Sequence, residues 1–263
     1  MTKNIYLTPS EQQIYNVIVE TDVTSHTEIM GSFPELSSIS INKTISSLLK
    51  KGYLYPLKRG LYLVQKEPSC DPVIPDPYKM ASLLFPGYIG FTSALRLWDL
   101  VDYEPFTIYV VTNSISGRKK IGQYEVQGVS FGRKATGVTQ HRGVYVSTIP
   151  KTFFDCFCKP THAGGYSGIT KSLHSAGRLD WDEFLNYFRK FGSDSLCQKT
   201  GYVLDLMCET DYKIPEGVLK YFRGRISGKT RLMPSAPARG KYDSRWRITD
   251  NVGEKNLLGW FYG

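Results

Sequence analysis

The sequence predicts an α+β protein in which helices and strands follow one another in blocks. Three observations point there. Two Ser/Thr-x-x-Glu capping signals and a glycine-stopped amphipathic run precede residue 53. Short aromatic and aliphatic strand runs lie between 53 and 148, and apolar residues recur at helical spacing from 165 to 222.

In the first block, Thr8-Pro9-Ser10-Glu11 is a capping box with proline at the first helical position, opening a helix through about Glu20. Ile14, Val17 and Ile18 give it an apolar stripe. Ser25 and Glu28 form a second box over a short helix ending near Gly31. Ser40 is the expected cap of a third helix, from Ile41 to Lys51, stopped by Gly52. Ile41, Ile45, Leu48 and Leu49 fall in one narrow arc of that helix. Two strands follow, Tyr53–Leu57 and Leu61–Val64, around the basic turn Lys58-Arg59-Gly60. Three short helices and a hairpin predict an N-terminal winged helix-turn-helix over residues 1–66.

Four prolines between Gln65 and Pro77 predict a stiff linker over 67–77, leaving 78–263 as a second domain. Within it, 78–160 predicts a mixed α/β region with a small antiparallel sheet. The expected elements are a helix at Thr92–Trp98 capped by Thr92, strands at Phe106–Val111, Gln123–Phe131 and Gly143–Thr148, and a helix at Pro150–Phe157. Asn113–Lys120 and Gly132–Arg142 read as turns. The part from 161 to 222 is helical, with entries at Gly165, at Asp180, at Ser193 or Asp194, and at Pro215. Residues 223–263 combine turns, basic side chains and strand-like runs such as Trp246-Arg247-Ile248.

The 263 residues carry a net charge of +9 and 41% hydrophobic residues, enough for more than one core. The charge is uneven: +2 for 1–66, +2 for 67–160, −1 for 161–222 and +6 for 223–263. A basic segment of this kind suits a polyanion or an acidic protein, although a solvated face explains it equally well. No stretch approaches the ~18 apolar residues of a membrane span, and the first residues lack the apolar core of a secretory signal. The five cysteines form no C-x-x-C. These features predict a cytoplasmic protein with no membrane partner.

The third helix is the sharpest candidate site. Opposite its apolar arc lie Lys43, Ser46, Ser47 and Lys50, flanked by Asn42 and Lys51. Small hydroxyl residues allow close approach to duplex DNA, Asn reaches a base edge, and Lys reaches phosphate or guanine. Lys58 and Arg59 sit at the wing tip, placed to clamp the backbone. The competing reading is a winged helix used only for protein contact.

Catalytic signals are weaker. Gly224–Thr230 ends in Gly-Lys-Thr but is one residue short of a phosphate-binding loop. Gly164–Gly168 reads as a helix entry. Cys156 and Cys158 would diverge on a helix, and His162 adds no full ligand set. No metal or cofactor is expected, and the protein reads as a regulator, not an enzyme. The alternative is a DNA-targeted nuclease with a winged-helix reader, using Asp99 or Asp102 with Glu125-Val126-Gln127.

Taken in order, several stretches resemble the AbiE-type abortive-infection antitoxins, a type IV toxin–antitoxin family of transcriptional regulators of viral defence. They are Lys50-Lys51-Gly52-Tyr53-Leu54 with Arg59-Gly60-Leu61-Tyr62, then Gly90-Phe91-Thr92-Ser93-Ala94-Leu95. Ile149-Pro150-Lys151-Thr152-Phe153-Phe154-Asp155 and Gly240-Lys241-Tyr242-Asp243-Ser244-Arg245-Trp246-Arg247-Ile248 follow. The resemblance implies an antiviral-defence protein whose winged helix represses its own promoter, at repeated sites. It further implies a C-terminal region that counteracts a cognate toxin of nucleotidyltransferase fold, with or without a stable complex. Under that reading, Arg239, Lys241, Arg245 and Arg247 in the basic tail become candidates for toxin antagonism.

Overall fold

The computed structural model describes residues 5–262 and is mixed α and β throughout. It divides into two compact units. One comprises the chain up to Leu84 together with Arg118–Val126; the other comprises Phe85–Gly117 and the chain from Gln127 onward.

The first unit opens with α1 (Pro9–Ile18). The Glu11 N–H donates to Thr8 Oγ1 at 3.4 Å and the Thr8 N–H donates to the Glu11 carboxylate at 2.6 Å, so the box closes in both directions. Strand β1 (Val23–Ser25) leads into α2 (His26–Ser32), where Ser25 and Glu28 repeat the device. Helix α3 (Ser38–Lys51) is followed by β2 (Leu54–Lys58) and β3 (Leu61–Val64). The strands form one antiparallel sheet in the order β1-β3-β2. Strand β1 is an addition to the expected elements, because three residues are too few to show alternation.

Three local expectations need correction. Helix α3 starts three residues early, since Ser37 and not Ser40 is the cap, its hydroxyl accepting from the Ser40 N–H at 3.2 Å. Val17 is 49% exposed, while Tyr15 turns inward and its hydroxyl donates to the Gln65 carbonyl at 2.9 Å. The proline-rich segment belongs to the first unit. Gln65 pairs with the backbone of Val73 in both directions, at 2.7 and 3.2 Å, and the Ser69 N–H donates to the Gly52 carbonyl at 3.2 Å. Helix α4 (Pro77–Leu84) completes this part, so the unit boundary falls after Leu84.

Next come β4 (Tyr88–Ile89), α5 (Phe91–Leu97), β5 (Thr107–Thr112), β6 (Gly117–Ile121), β7 (Tyr124–Ser130), β8 (Val138–His141) and β9 (Val144–Ser147). The sheet order is β6-β7-β5-β4-β9-β8, with β4 parallel to β9 and antiparallel to β5. The sheet is thus larger than expected and includes one parallel pairing. Two of its strands lie in stretches read as turns, because β6 has a single buried apolar side chain, Ile121, and β8 has none. Gly90 takes the cap position of α5; Thr92 sits inside the helix and meets the Tyr103 hydroxyl at 3.1 Å.

Helices α6 (Ile149–Cys158), α7 (Gly165–Ala176), α8 (Trp181–Phe191), α9 (Asp194–Met207) and α10 (Glu216–Arg223) form the main core, rich in phenylalanine. The last segment is folded into it. Strands β10 (Thr230–Arg231), β11 (Lys241–Asp243) and β12 (Ile248–Asp250) pair in the order β10-β12-β11, and α11 (Glu254–Tyr262) packs on α7. Trp246 is fully buried against Gly201, where a Cβ would fall 2.3 Å from the indole. Among the described residues, no helix is long and apolar enough to cross a membrane.

Candidate nucleic-acid interface

Helix α3 buries Ile41, Thr44, Ile45 and Leu48 against α1, α2 and the sheet. Burial of that face fixes what the opposite face shows to solvent. There Asn42, Lys43, Ser46, Ser47 and Lys50 line one shallow depression, joined by Ile39, which is 67% exposed. Gly52 ends the helix with φ of 85°, and a Cβ there would fall 2.6 Å from the Ser69 carbonyl oxygen. Only glycine meets both demands.

The structure separates the eight candidate residues into two groups. Lys43 and Lys50 are exposed and make no ion pair among the described residues. Asn42 is exposed as well, its Oδ1 meeting His26 Nε2 of α2 at 2.7 Å, which orients the amide. Arg59 is exposed at the β2–β3 turn, where Gly60 has φ of 71° and its carbonyl accepts from the His26 N–H at 2.8 Å. That bond ties the turn to the start of α2.

Ser46 is exposed on the same face, whereas Lys51, Ser47 and Lys58 are engaged inside the unit. Lys51 Nζ lies 2.6 Å from the Glu11 carboxylate and 2.7 Å from the Tyr6 carbonyl oxygen. Ser47, one turn earlier, also bonds Glu11. Burial alone would raise the Glu11 carboxyl, but Lys51, Ser47 and the Thr8 cap outweigh it and hold the group at about 2. Lys58 Nζ donates to the Leu83 carbonyl at 2.6 Å. Sequence spacing places Lys51 one residue beyond the exposed arc but cannot show that a carboxylate forty residues upstream captures it.

The basic segment behaves similarly. Arg239, Lys241 and Arg245 line one concavity beside β11 and α9, whereas Arg247 is exposed in the β11–β12 turn with φ of 50° and does not line it. Glu209, Asp243, Asp250 and Glu254 share the concavity, so its own lining mixes both signs of charge and is not a purely basic surface. Burial and the neighbouring Glu254 carboxylate raise the Glu209 carboxyl. Arg245 Nη2 is 2.6 Å from Asp205 Oδ2, which also accepts from Trp246 Nε1 at 2.8 Å.

Each nuclease candidate has its own local surroundings. Asp99 is paired on both oxygens, with Arg96 at 3.3 Å and Arg142 at 2.5 Å; Asp102 faces Lys171 at 3.5 Å, and Glu125 is half-buried on β7. No group of three or more His, Cys, Asp or Glu side chains is placed to hold a metal among the described residues.

One cluster escapes the sequence reading. Lys151 and Asp155, one turn apart on α6, form a fully buried ion pair. Lys151 Nζ also donates to the Tyr88 hydroxyl at 2.8 Å, and that hydroxyl donates to Asp155 at 3.0 Å. The rings of Tyr88, Phe131, Phe154 and Tyr187 surround the ammonium at 5.4 to 5.7 Å. Burial pushes the Asp155 carboxyl up and the Lys151 ammonium down, while each holds its partner toward the charged form. A Lys and an Asp four apart in a helix otherwise apolar but for Thr152 are the signal available in the sequence. Comparison with protein-family models and with curated proteins finds no match to this chain.

Proposed function

We propose that the N-terminal elements form a winged helix-turn-helix that binds duplex DNA, with α3 as the recognition helix and the β2–β3 turn as the wing. The observation that carries this reading is the exposed face of α3: two unpaired ammonium groups and an oriented Asn amide on a helix whose other face is fully buried. The element order α1-β1-α2-α3-β2-β3, with β1 completing the sheet beside β3, supports it. Asn42, Lys43, Ser46 and Lys50 are the base and phosphate contacts in this reading, and Arg59 steadies the backbone from the wing.

We further propose that the whole protein is a non-enzymatic antitoxin and autorepressor of the AbiE type, acting in the cytoplasm against a nucleotidyltransferase-fold toxin. The sequence resemblance supports this role, and the concavity around Arg239 and Lys241 is the candidate antagonism surface. The test is co-expression with the product of the neighbouring gene, alongside binding of the upstream promoter fragment. The antitoxin reading expects rescue of growth and retention of the fragment. A harmless neighbour, or a fragment bound no better than random duplex, would contradict it.

A further inference from the structure

On the second unit, around the C-terminal end of α7, lies a run of aromatic rings that neither DNA binding nor toxin antagonism uses. Trp181 lies 6.4 Å from Tyr212, and Tyr212 lies 6.3 Å from His174, measured between ring centroids. His174 in turn lies 5.0 Å from Trp260 and 6.1 Å from Phe261, and Phe261 lies 5.4 Å from Tyr262. His174, Trp181 and Tyr212 border a cleft of about 570 Å³ whose rim carries Arg178, Asp211 and Lys213.

Core packing explains only part of this. Tyr212 is 6% exposed and Trp181 half-buried, and both join the main core. Phe261 is 38% and Tyr262 58% exposed, so packing leaves much of these rings in water. Arg178 and Lys213 are exposed, and neither has an ion-pair partner among the described residues. The one carboxylate on the rim, Asp211, is taken up by His174 Nε2 at 2.6 Å. Planar rings open to solvent beside unpaired cations match one chemistry well: unstacked bases on a phosphate backbone.

We propose that this cleft and its aromatic extension bind single-stranded RNA. Bases stack on Trp181, Phe261 and Tyr262, while Arg178 and Lys213 contact phosphates. The Asp211–His174 pair offers an acceptor to a ribose 2′-hydroxyl, a contact that DNA lacks. The inference is independent of the α3 interface, which lies in the other unit.

The test uses the full chain at low salt with a labelled, unstructured RNA of about a dozen nucleotides, the DNA of the same sequence, and tryptophan fluorescence. RNA binding should quench tryptophan emission, and Trp181→Phe should remove part of that quenching. Phe261→Ala with Tyr262→Ala should weaken binding by roughly tenfold or more, given about 1–3 kcal/mol per stacked base. Arg178→Ala with Lys213→Ala should lower the salt slope by about 1.4, at ~0.7 per phosphate on a single strand. Arg178 and Lys213 are exposed and outside any ion pair among the described residues, so melting of that variant should stay unchanged. Lys43→Ala with Lys50→Ala should leave RNA binding intact. Absence of binding, equal affinity for the DNA strand, or indifference to both second-unit variants would overturn the proposal.

Discussion

Glu11 sits in the first turn of α1, yet it decides what two residues of α3 can do. Its carboxylate takes the Lys51 ammonium and the Ser47 hydroxyl, leaving Lys43 and Lys50 as the free cations of that helix. Lys51→Ala should therefore lower stability while leaving the salt dependence of DNA binding unchanged. Glu11→Gln should cost about 1.5–3 kcal/mol near neutral pH, the range for hydrogen bonds to a charged group. The folded-state pKa of Glu11 is lowered, from 4.5 to about 2. Its contribution is thus full above about pH 4.5 and is lost as pH falls toward 2. Urea titrations across that window should show wild type losing stability more steeply than Glu11→Gln, and parallel curves would contradict the assignment.

At the scale of elements, the strongest signals in the sequence were those with a local cause. Both capping boxes and the glycine stop of α3 stand where expected, because each depends on residues within a few positions. Strands β1, β4, β6 and β8 were not legible, being too short or too polar to show alternation and fixed by partners far along the chain. Helix α6 was legible as a helix, but its buried pair was not, since its ring environment comes from β4, α8 and the stretch after β7. Replacing Lys151 with Met strands a buried carboxylate, and breaking such pairs costs about 3–5 kcal/mol. Denaturant unfolding monitored by circular dichroism should show a loss of that size; a loss below about 1 kcal/mol would mean that the pair is not stabilising its surroundings.

For the whole molecule, the division into two units revises how function can be dissected. Residues 67–84 and 118–126 belong with the N-terminal elements, so a cut at 66 removes part of their packing. Point variants of the full chain separate the roles more cleanly. Arg245 is unsuited to this, because it also partners Asp205. Arg239→Ala with Lys241→Ala should reduce rescue from the toxin while leaving promoter binding unchanged; full rescue would remove the concavity from the antagonism role. The exposed face of α3 is proposed to hold DNA, and the salt dependence of promoter binding tests that role most directly. With Lys43 and Lys50 both changed to Ala in the full chain, stability should move by less than about 0.5 kcal/mol. The slope of log affinity against log salt should become shallower by about 1.8, corresponding to two phosphate contacts at ~0.9 each. An unchanged slope with unchanged affinity would show that α3 does not face DNA.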